Sequence, residues 1–421
     1  MQQADPRETA ARAQPCRSCG APLHDVVVDL GMTPVSNAFR RREDLRSPEP
    51  FFPLKALVCR GCWLVQTLDT LGRDTHFHGD YAYFSSVTKG WVEHAQSFVE
   101  AIVGREGLGR ESFVVEVASN DGYLLQHFVA KGVPCLGVDP AANCAKAAAE
   151  RYGVKTEVGF FGREMGAAIA RRNGPADLIV ANNVLAHVPD LNDFVAGFRA
   201  LLAARGVISF EFPHLLRLME ENQFDTVYHE HYSYLSALAL APLFARHGLN
   251  MVDVEELATH GGSLRLFLRH DAAGEGASAA MTSLIGREKA ARLDRIETYA
   301  TFNARVEKTK RKLLSLLIGL KNEGKRIAGY GAPAKGNTLL NYCGIGTDFL
   351  DYTVDRSEAK QGLFLPGTQI PILAPARILE DRPDYVLILP WNIREEIMRD
   401  MAGIRDWGGR FIVPIPEPKV L

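Results

Sequence analysis

The sequence lacks the features that would place it in a membrane or on a nucleic acid. No apolar run reaches the roughly 18 residues that a membrane-spanning helix needs. The polar residues 1–8 lack the apolar core of a signal peptide. The formal net charge is −2, so the chain has no excess of basic residues. This disfavours binding to nucleic-acid phosphates, although a local basic patch is not excluded. We therefore expect a cytoplasmic protein with neither a membrane nor a nucleic acid as partner.

Cysteine is scarce, and its spacing favours metal binding over disulfides. Only seven cysteines occur in 421 residues. Four of them form two Cys-x-x-Cys pairs, which suit metal binding in a reducing compartment. A chain of this length is expected to fold into two or three domains, and its 47% hydrophobic and 23% charged residues are ordinary for a globular protein.

The two cysteine pairs predict a zinc site in an N-terminal module. Cys16 and Cys19 form the first pair and Cys59 and Cys62 the second, each at a turn that contains or adjoins a glycine. Two such turns direct four thiolates at one ion and complete a tetrahedral zinc site. Because all four ligands are cysteine, no position stays open for water, and the zinc is expected to be structural. The alternative is a set of four reduced thiols without a metal.

Strands and helices alternate after residue 90, which is typical of a parallel α/β sheet. Ligands of such sheets lie beyond the carboxyl ends of the strands. Small residues after the first strand let a nucleotide approach the backbone, and an acid about twenty residues on can bind a ribose. The cofactor-binding candidates at these strand ends are Glu116, Ala118, Ser119, Asn120, Gly122, Asp139, Asn182 and Asn183.

These strand ends resemble the S-adenosylmethionine site of class I methyltransferases. The first turn is not Gly-x-Gly-x-x-Gly and so lacks the form expected for a dinucleotide. The run Asn120-Asp121-Gly122 and the later pair Asn182-Asn183 fit the methyltransferase pattern instead. The alternative is an α/β domain whose first loop binds some other nucleotide.

Residues 224–234 form the stretch around which the rest of the chain is organised. Two histidines, one glutamate and three tyrosines occupy seven positions from Tyr228 to Tyr234. The stretch has neither helical nor strand periodicity, so core packing does not explain it, and such a density of titratable groups suits proton transfer. Because it follows the predicted strand at residues 206–212, the fifth of this sheet, we expect it at the ligand-binding edge, facing His187 from the loop after the fourth strand. The alternative is a polar loop that caps a sheet edge.

A helical segment and a second α/β domain follow. Residues 326–337 predict a strand, a glycine-rich turn and the start of a helix. Amides at a helix N-terminus bind anions, and Lys335 adds a positive charge, so a pyrophosphate would fit, although the Gly-Lys-Ser/Thr ending of a P-loop is absent. The substrate-binding candidates are Tyr330, Gly331, Lys335, Asn337 and Asp355. The alternative is a purely architectural Rossmann-like domain.

The three modules, in this order, resemble the family of nucleotide-sugar C-methyltransferases, which make branched deoxysugars such as tetronitrose or mycarose for antibiotics and glycans. The resemblance runs from Cys16 to about Pro414 and includes the cysteine pairs, residues 228–234 and residues 329–337. It implies S-adenosylmethionine as methyl donor and a dTDP-linked 4-keto deoxysugar, methylated at C3, as acceptor. We expect a monomer, with a homodimer left open.

The resemblance also implies roles for individual residues. His231 is the base that removes the C3 proton, and Glu230 orients it or contacts the sugar. Tyr228 and His187 hydrogen-bond the 4-keto oxygen. Tyr81 or Tyr83 closes over the sugar; the alternative is that these tyrosines only connect the zinc-binding module to its neighbour. Asp225 and His229 are structural residues, and Lys335 is a pyrophosphate ligand.

The sequence predicts five segments along the chain. We expect a disordered tail (1–15), a zinc-binding module (16–75), a methyltransferase domain with the catalytic loop (76–276), a helical connector (277–323) and a Rossmann-like nucleotide-sugar-binding domain (324–421). An O- or N-methyltransferase would keep the donor site but need no enolate base. A zinc-ribbon binding protein without catalysis is the other open class.

Overall fold

The computed structural model describes residues 14–70 and 84–421 of the chain. Most of the predicted N-terminal tail and the candidates Tyr81 and Tyr83 lie outside the described residues. Within these residues, three β-sheets of four, seven and six strands form the framework.

The N-terminal module contributes three antiparallel strands, which are β1 (Asp25–Thr33), β2 (Phe52–Val58) and β3 (Val65–Thr67). The register between β1 and β2 shifts between Val26 and Val28. An extra residue of this kind bends a strand locally, and here the adjacent Val27 and Val28 are both buried. The strand therefore packs on the core without strict alternation.

The middle of the chain alternates strands with helices. The strands are β4 (Val114–Val117), β5 (Cys135–Asp139), β6 (Thr156–Val158), β7 (Ala176–Asn182), β8 (Leu202–Pro213), β9 (Ser233–Tyr234), β10 (Leu249–Leu257) and β11 (Ser263–His270). The helices are α1 (Lys89–Glu106), α2 (Leu125–Ala130), α3 (Ala142–Tyr152), α4 (Arg163–Asn173), α5 (Leu191–Leu201), α6 (Leu215–Glu220) and α7 (Ala237–Arg246). Ala95, Phe98, Val99 and Ile102 of α1 are buried at the spacing of one helical face, so this helix packs on the sheet through a single stripe.

Seven of these strands form one doubly wound sheet. Its order is β10-β11-β8-β7-β4-β5-β6, and neighbours are parallel except that β11 runs antiparallel to β8 and β10. All four residues of β4 are buried, as expected where both faces of a sheet are covered. The chain moves from β4 outward to β6 and then returns to β7. This reversal opens a crevice at the carboxyl ends of β4 and β7.

The C-terminal part of the chain begins with three helices, α8 (Ala279–Ala290), α9 (Ile296–Ala300) and α10 (Phe302–Asn322). The strands β12 (Ile327–Tyr330), β13 (Thr353–Val354), β14 (Ile372–Leu373), β15 (Tyr385–Ile388), β16 (Arg410–Val413) and β17 (Lys419–Val420) follow. They form a sheet in the order β14-β13-β12-β15-β16-β17, parallel up to β16. The intervening helices are α11 (Ala334–Cys343), α12 (Ala376–Asp381) and α13 (Arg394–Asp400).

The N-terminal module shares hydrophobic cores with both larger parts of the chain. Its Val27 shares a hydrophobic core with Leu339 of α11, whereas its Cys59 shares one with Phe244 of α7. Its own sheet is completed by β9, which belongs to the predicted catalytic loop. No helix among residues 14–70 and 84–421 combines the length and apolar character that a membrane crossing requires.

Candidate active site

Four cysteine sulfurs converge in the N-terminal module. The Sγ atoms of Cys16 and Cys62 are 3.6 Å apart, and those of Cys19 and Cys59 are 3.5 Å apart. All four lie within 4.8 Å of one another. A tetrahedron with zinc–sulfur bonds of about 2.3 Å has edges of about 3.8 Å, so this donor set fits one zinc ion after small adjustments.

Two adjoining cavities open at the carboxyl ends of the parallel strands. The smaller cavity holds about 140 Å³ and its wall is mostly apolar, with Phe160 and Val188 among its residues. The larger cavity holds about 310 Å³ and is lined by polar groups from several elements. The residues that line both cavities are Ala118, Asp139, Asn183 and His187. A ligand that fills the smaller cavity therefore meets the larger one at these four residues.

Two acids lie at this edge of the sheet. Asp139 ends β5 and accepts hydrogen bonds from the amides of Asn120 and Ala141, both at 2.8 Å, so each carboxylate oxygen keeps capacity for a ligand. Glu116 in β4 is 1% exposed and lines neither cavity, and its carboxyl group interacts with Tyr123, which lines the larger cavity. Burial and the neighbouring Asp139 raise the pKa of Glu116 well above its ordinary value. Of these two acids, Asp139 is the one that lines the cavities.

The strand ends at the crevice carry unusual backbone conformations. Ala118, Asn120 and Asn183 have φ angles of 60°, 48° and 54°. Left-handed conformations are uncommon outside glycine and cluster at functional sites. Asn182 lines the larger cavity, and its Oδ1 has no partner in the described residues. These four candidates therefore lie together at the crevice.

Two further predicted cofactor-binding residues line neither cavity and serve packing instead. Ser119 is fully buried, and its Oγ would lie only 2.4 Å from a Cβ on Gly137. Gly122 has a φ of +81°, and a Cβ there would come within 3.1 Å of Ala148 in α3. Their small size allows the first turn to pack closely on its neighbours.

The predicted catalytic loop lines the larger cavity. Nδ1 of His231 lies 3.1 Å from the carbonyl of Thr226, to which it donates as Nδ1–H, and Nε2 then accepts the Tyr228 hydroxyl at 2.7 Å. The His231 ring centroid is 4.6 Å from that of His187, which borders both cavities. The structure thus brings His231, Tyr228 and His187 together at the place where the cavities meet.

The surroundings of His231 favour its neutral form. Burial and the nearby His187 lower the pKa of His231 well below the ordinary value of about 6.5, and Lys335 acts in the same direction. The Thr226 carbonyl opposes this shift by accepting a hydrogen bond. At neutral pH Nε2 is therefore unprotonated, and its lone pair accepts the Tyr228 hydroxyl.

Comparison with known proteins finds three family models that match successive parts of the chain. A zinc binding domain model matches residues 16–77, a methyltransferase domain model residues 91–254, and a C-methyltransferase C-terminal domain model residues 258–416. The C-methyltransferase NovU of Streptomyces niveus is 39% identical over 406 residues, which cover 96% of this chain and 96% of that protein. The chain belongs to the C-methyltransferase family. It is accordingly an S-adenosylmethionine-dependent enzyme that acts on a small molecule and carries a zinc-binding module.

Solved structures with a similar fold have a lower sequence identity to this C-methyltransferase than NovU has. The magnesium protoporphyrin IX methyltransferase of Synechocystis PCC 6803 with bound S-adenosylmethionine is 13% identical, with a TM-score of 0.33 over 47% of this chain and 88% of that chain. The PH0226 protein of Pyrococcus horikoshii is also 13% identical, with a TM-score of 0.37 over 45% and 95%. At these scores neither likeness bears on the activity. The predicted class I methyltransferase fold is confirmed by the domain match.

Three other residues of the predicted catalytic loop contact neighbouring modules. Glu230 does not line either cavity; its carboxylate accepts a hydrogen bond from Asn37 at 2.8 Å, and burial raises its pKa. His229 packs edge-on against Phe52 of β2, and Asp225 accepts the Trp391 indole N–H at 2.7 Å. The roles of Asp225 and His229 as structural residues agree with this placement, whereas a direct role for Glu230 beside His231 gains no support from it.

Lys335 is the C-terminal candidate that the structure brings to the active site. Its Nζ donates to Asn392 at 2.8 Å and lies 5.0 Å from the centre of the Trp391 ring, and the side chain lines the larger cavity. Burial lowers the pKa of Lys335, and the neighbouring Asp225 opposes that shift. The ammonium group therefore shares one cavity with His231.

The other C-terminal candidates form contacts within their own domain and line neither cavity. Asp355 accepts the amide of Ala332 at 2.7 Å, and the Tyr330 hydroxyl accepts the Arg356 guanidinium at 3.1 Å. Gly331 has a φ of +91° and packs so closely on Pro390 that a Cβ would lie 2.5 Å away. The amide oxygen of Asn337 accepts a hydrogen bond from Asn341 at 3.2 Å.

Sequence analysis missed several residues of the larger cavity, of which His260 is the most notable. Its backbone is left-handed (φ 55°), its ring meets Trp91 edge-on, and its Nε2 is 3.5 Å from the Asn183 amide nitrogen. The ring is open to the cavity but surrounded by protein, and this desolvation, with Lys335, lowers the pKa of His260 to about 4. The available signal was a histidine followed by Gly261 and Gly262, which predicts only a turn. Trp91, Tyr123 and Tyr234 also line this cavity.

Proposed function

We propose that this C-methyltransferase removes the C3 proton of a dTDP-linked 4-keto deoxysugar and methylates the resulting enolate, in the biosynthesis of a branched sugar. The observation that carries the proposal is the position of His231, a neutral imidazole at the junction of the two cavities. Transfer of a methyl group to oxygen or nitrogen would not need a base directed at a carbon acid. The larger cavity would hold the sugar, and the smaller one part of the methyl donor.

The chemistry explains why these side chains would be needed. A C–H bond beside a ketone is weakly acidic, so a base must take the proton while hydrogen-bond donors stabilise the enolate oxygen. When bound, S-adenosylmethionine supplies an electrophilic methyl group on a positively charged sulfur. The task of the protein is then to hold the acceptor carbon in line, because attack depends on close positioning.

Tyr228 would have to change its hydrogen-bond partner during the reaction. Its hydroxyl occupies the Nε2 lone pair of His231, which is the lone pair that would accept the C3 proton. We propose that the bound sugar redirects the hydroxyl proton to the 4-keto oxygen, with His187 as a second hydrogen-bond donor. The same change frees the base and stabilises the developing negative charge.

The donor and the nucleotide would be held by the remaining candidates. We propose that Asp139 binds the ribose hydroxyls and Glu116 a polar group of S-adenosylmethionine, while Lys335 attracts the anionic nucleotide of the sugar. Tyr81 and Tyr83 stay predictions, as do the contacts of Glu230, Tyr330, Gly331, Asn337 and Asp355 with substrate. The five-part domain division given above is likewise proposed, with the sugar nucleotide between the methyltransferase and C-terminal domains.

The pH dependence of the reaction should report on Lys335. The active form of His231 is neutral, so activity is present above its pKa and is lost as the pH falls through it. Because the folded-state pKa is lowered, the acid limb of kcat/KM should lie below about 6.5, the ordinary histidine value. Replacing Lys335 by methionine removes one cause of that lowering and should move the acid limb to higher pH. The measurement is a kcat/KM profile for each enzyme.

The control for this profile is Lys155→Met, an exposed lysine that lines neither cavity. It should leave the acid limb in place. An acid limb that does not move in Lys335→Met, or that moves to lower pH, would contradict the assignment of this limb to His231.

The proposed acceptor can be tested with the unmodified enzyme and a panel of dTDP-4-keto sugars in deuterated water. We expect deuterium to enter C3 of at least one sugar and, with S-adenosylmethionine present, a new carbon–carbon bond to a methyl group. Mass spectrometry and NMR of the products distinguish these events. A methyl group found on oxygen or nitrogen, or no exchange and no transfer across the panel, would reject the proposal.

A further inference from the structure

The N-terminal zinc module lies directly against the catalytic loop. Strand β3 of the zinc module pairs with β9, aligning Val65 with Tyr234 and Gln66 with Ser233. The Thr67 amide donates to the carbonyl of Tyr232 at 3.1 Å, and its hydroxyl donates to the carbonyl of His231 at 3.2 Å. The peptide groups that follow the proposed base are therefore held by the zinc module.

Arg17 connects this strand pairing to the cysteine cluster. It follows Cys16 in the chain, and its Nη1 donates to the carbonyls of Thr67 at 2.8 Å and Tyr232 at 2.9 Å. Its guanidinium carbon lies 5.0 Å from the centre of the Tyr232 ring, within the range of a cation–π contact. Its Nη2 pairs with Asp69. One side chain thus links the first cysteine turn to a carbonyl 215 residues away in sequence.

The backbone of Arg17 is held by the same cluster. Its amide donates to Oε1 of Gln66 at 2.9 Å, and Nε2 of Gln66 donates to Sγ of Cys16 at 3.2 Å. The carbonyl of Arg17 accepts a hydrogen bond from Asn192 of α5 at 3.0 Å. Since the side chain is only 4% exposed, its hydrogen bonds to the loop are shielded from water and should be well ordered.

We propose that Arg17 is a positioning residue for the reaction. It transmits the geometry of the zinc turn to the peptide groups after His231 and so holds the imidazole against Tyr228 and His187. The zinc ion would then act on turnover through Arg17, although it touches neither the sugar nor the methyl donor. This proposal rests on the proposed function, because it takes His231 as the base.

The chain offers a matched control in the second cysteine turn. Arg60 follows Cys59 as Arg17 follows Cys16, but it pairs with Asp25 at the surface and is 67% exposed. This pair is bidentate, but water and salt screen it because the guanidinium is exposed. Both arginines therefore adjoin a predicted zinc ligand, and of the two, Arg17 is the one that bonds to the catalytic loop.

The test compares Arg17→Ala, Arg17→Lys and Arg60→Ala in the full-length enzyme. Zinc content, S-adenosylmethionine affinity, kcat and deuterium exchange at C3 are measured for each. For Arg17→Ala we expect one zinc per chain and unchanged donor affinity, with kcat and exchange both lower by about 10- to 100-fold, the loss expected when a reacting group is misplaced by about 1 Å. Arg17→Lys should recover part of the loss because lysine can donate to one of the two carbonyls, and Arg60→Ala should match the unmodified enzyme.

The measurements separate a failure of the Arg17 proposal from a failure of the proposed function. Unchanged exchange in Arg17→Ala would overturn the positioning role while leaving His231 as the base. Loss of zinc in Arg17→Ala, or an equal loss of turnover in Arg60→Ala, would show that Arg17 serves only the integrity of the cysteine turns and would also overturn the proposal. Absence of C3 exchange in the unmodified enzyme would reject the proposed function, and the role of Arg17 with it.

Discussion

Replacing His231 by alanine is expected to lower the rate of methyl transfer by about 10²- to 10⁴-fold, the usual contribution of a positioned general base. The imidazole is neutral and its Nε2 lone pair faces the Tyr228 hydroxyl in the larger cavity. Its Nδ1–H donates to the Thr226 carbonyl, which orients the ring. Deuterium exchange at C3 should fall together with methyl transfer, since both need the same proton removal.

Donor binding separates this expectation from a general loss of structure. His231 does not line the smaller cavity, so the affinity for S-adenosylmethionine measured by calorimetry should stay close to that of the unmodified enzyme. His24→Ala, which removes an exposed imidazole of the zinc module, is the control and should retain full activity. Exchange at the unmodified rate in His231→Ala would show that another group removes the proton.

Replacing Cys62 by serine is expected to cause the largest loss of stability. Structural zinc contributes an apparent free energy of about 10 to 16 kcal/mol in small zinc-binding peptides, whereas a whole domain is stable by only about 5 to 15 kcal/mol. The sulfur of Cys62 is buried and lies 3.6 Å from that of Cys16. We expect loss of bound zinc and unfolding of the N-terminal module, measured by metal analysis and thermal denaturation.

The consequences of losing zinc should extend to catalysis. Because β3 pairs with β9, unfolding of the module would also release the catalytic loop and abolish turnover. Cys135→Ser is the matched control, since Cys135 is a half-buried cysteine of β5 outside the cluster. It should keep its zinc and most of its activity. A Cys62→Ser enzyme with normal zinc content and normal thermal stability would contradict the four-cysteine assignment.

Some residues of the site could be predicted from the sequence together with their location, and others could not. Asp139 could be identified because it ends an apolar strand, and parallel strands bring such ends to one edge. Lys335 could be identified as a candidate cation, but not the cavity that it lines: Asp355 caps the turn at Ala332, and the Lys335 side chain lines the same cavity as His231. A glycine-rich turn before a helix shows that the backbone bends sharply there, without showing which cavity the helix faces.

By itself, the sequence determined the α/β class, the four cysteines of the zinc site and the loop that carries the proposed base. Each of these depends on the spacing or composition of near neighbours, which a linear pattern contains. Tertiary structure alone decided that Glu230 meets Asn37, 193 positions away, and that Arg17 binds the loop after His231. It also decided that His260 and Lys335 share one cavity. Such contacts follow from how complete sheets pack and pair, and no local periodicity specifies the register between distant segments.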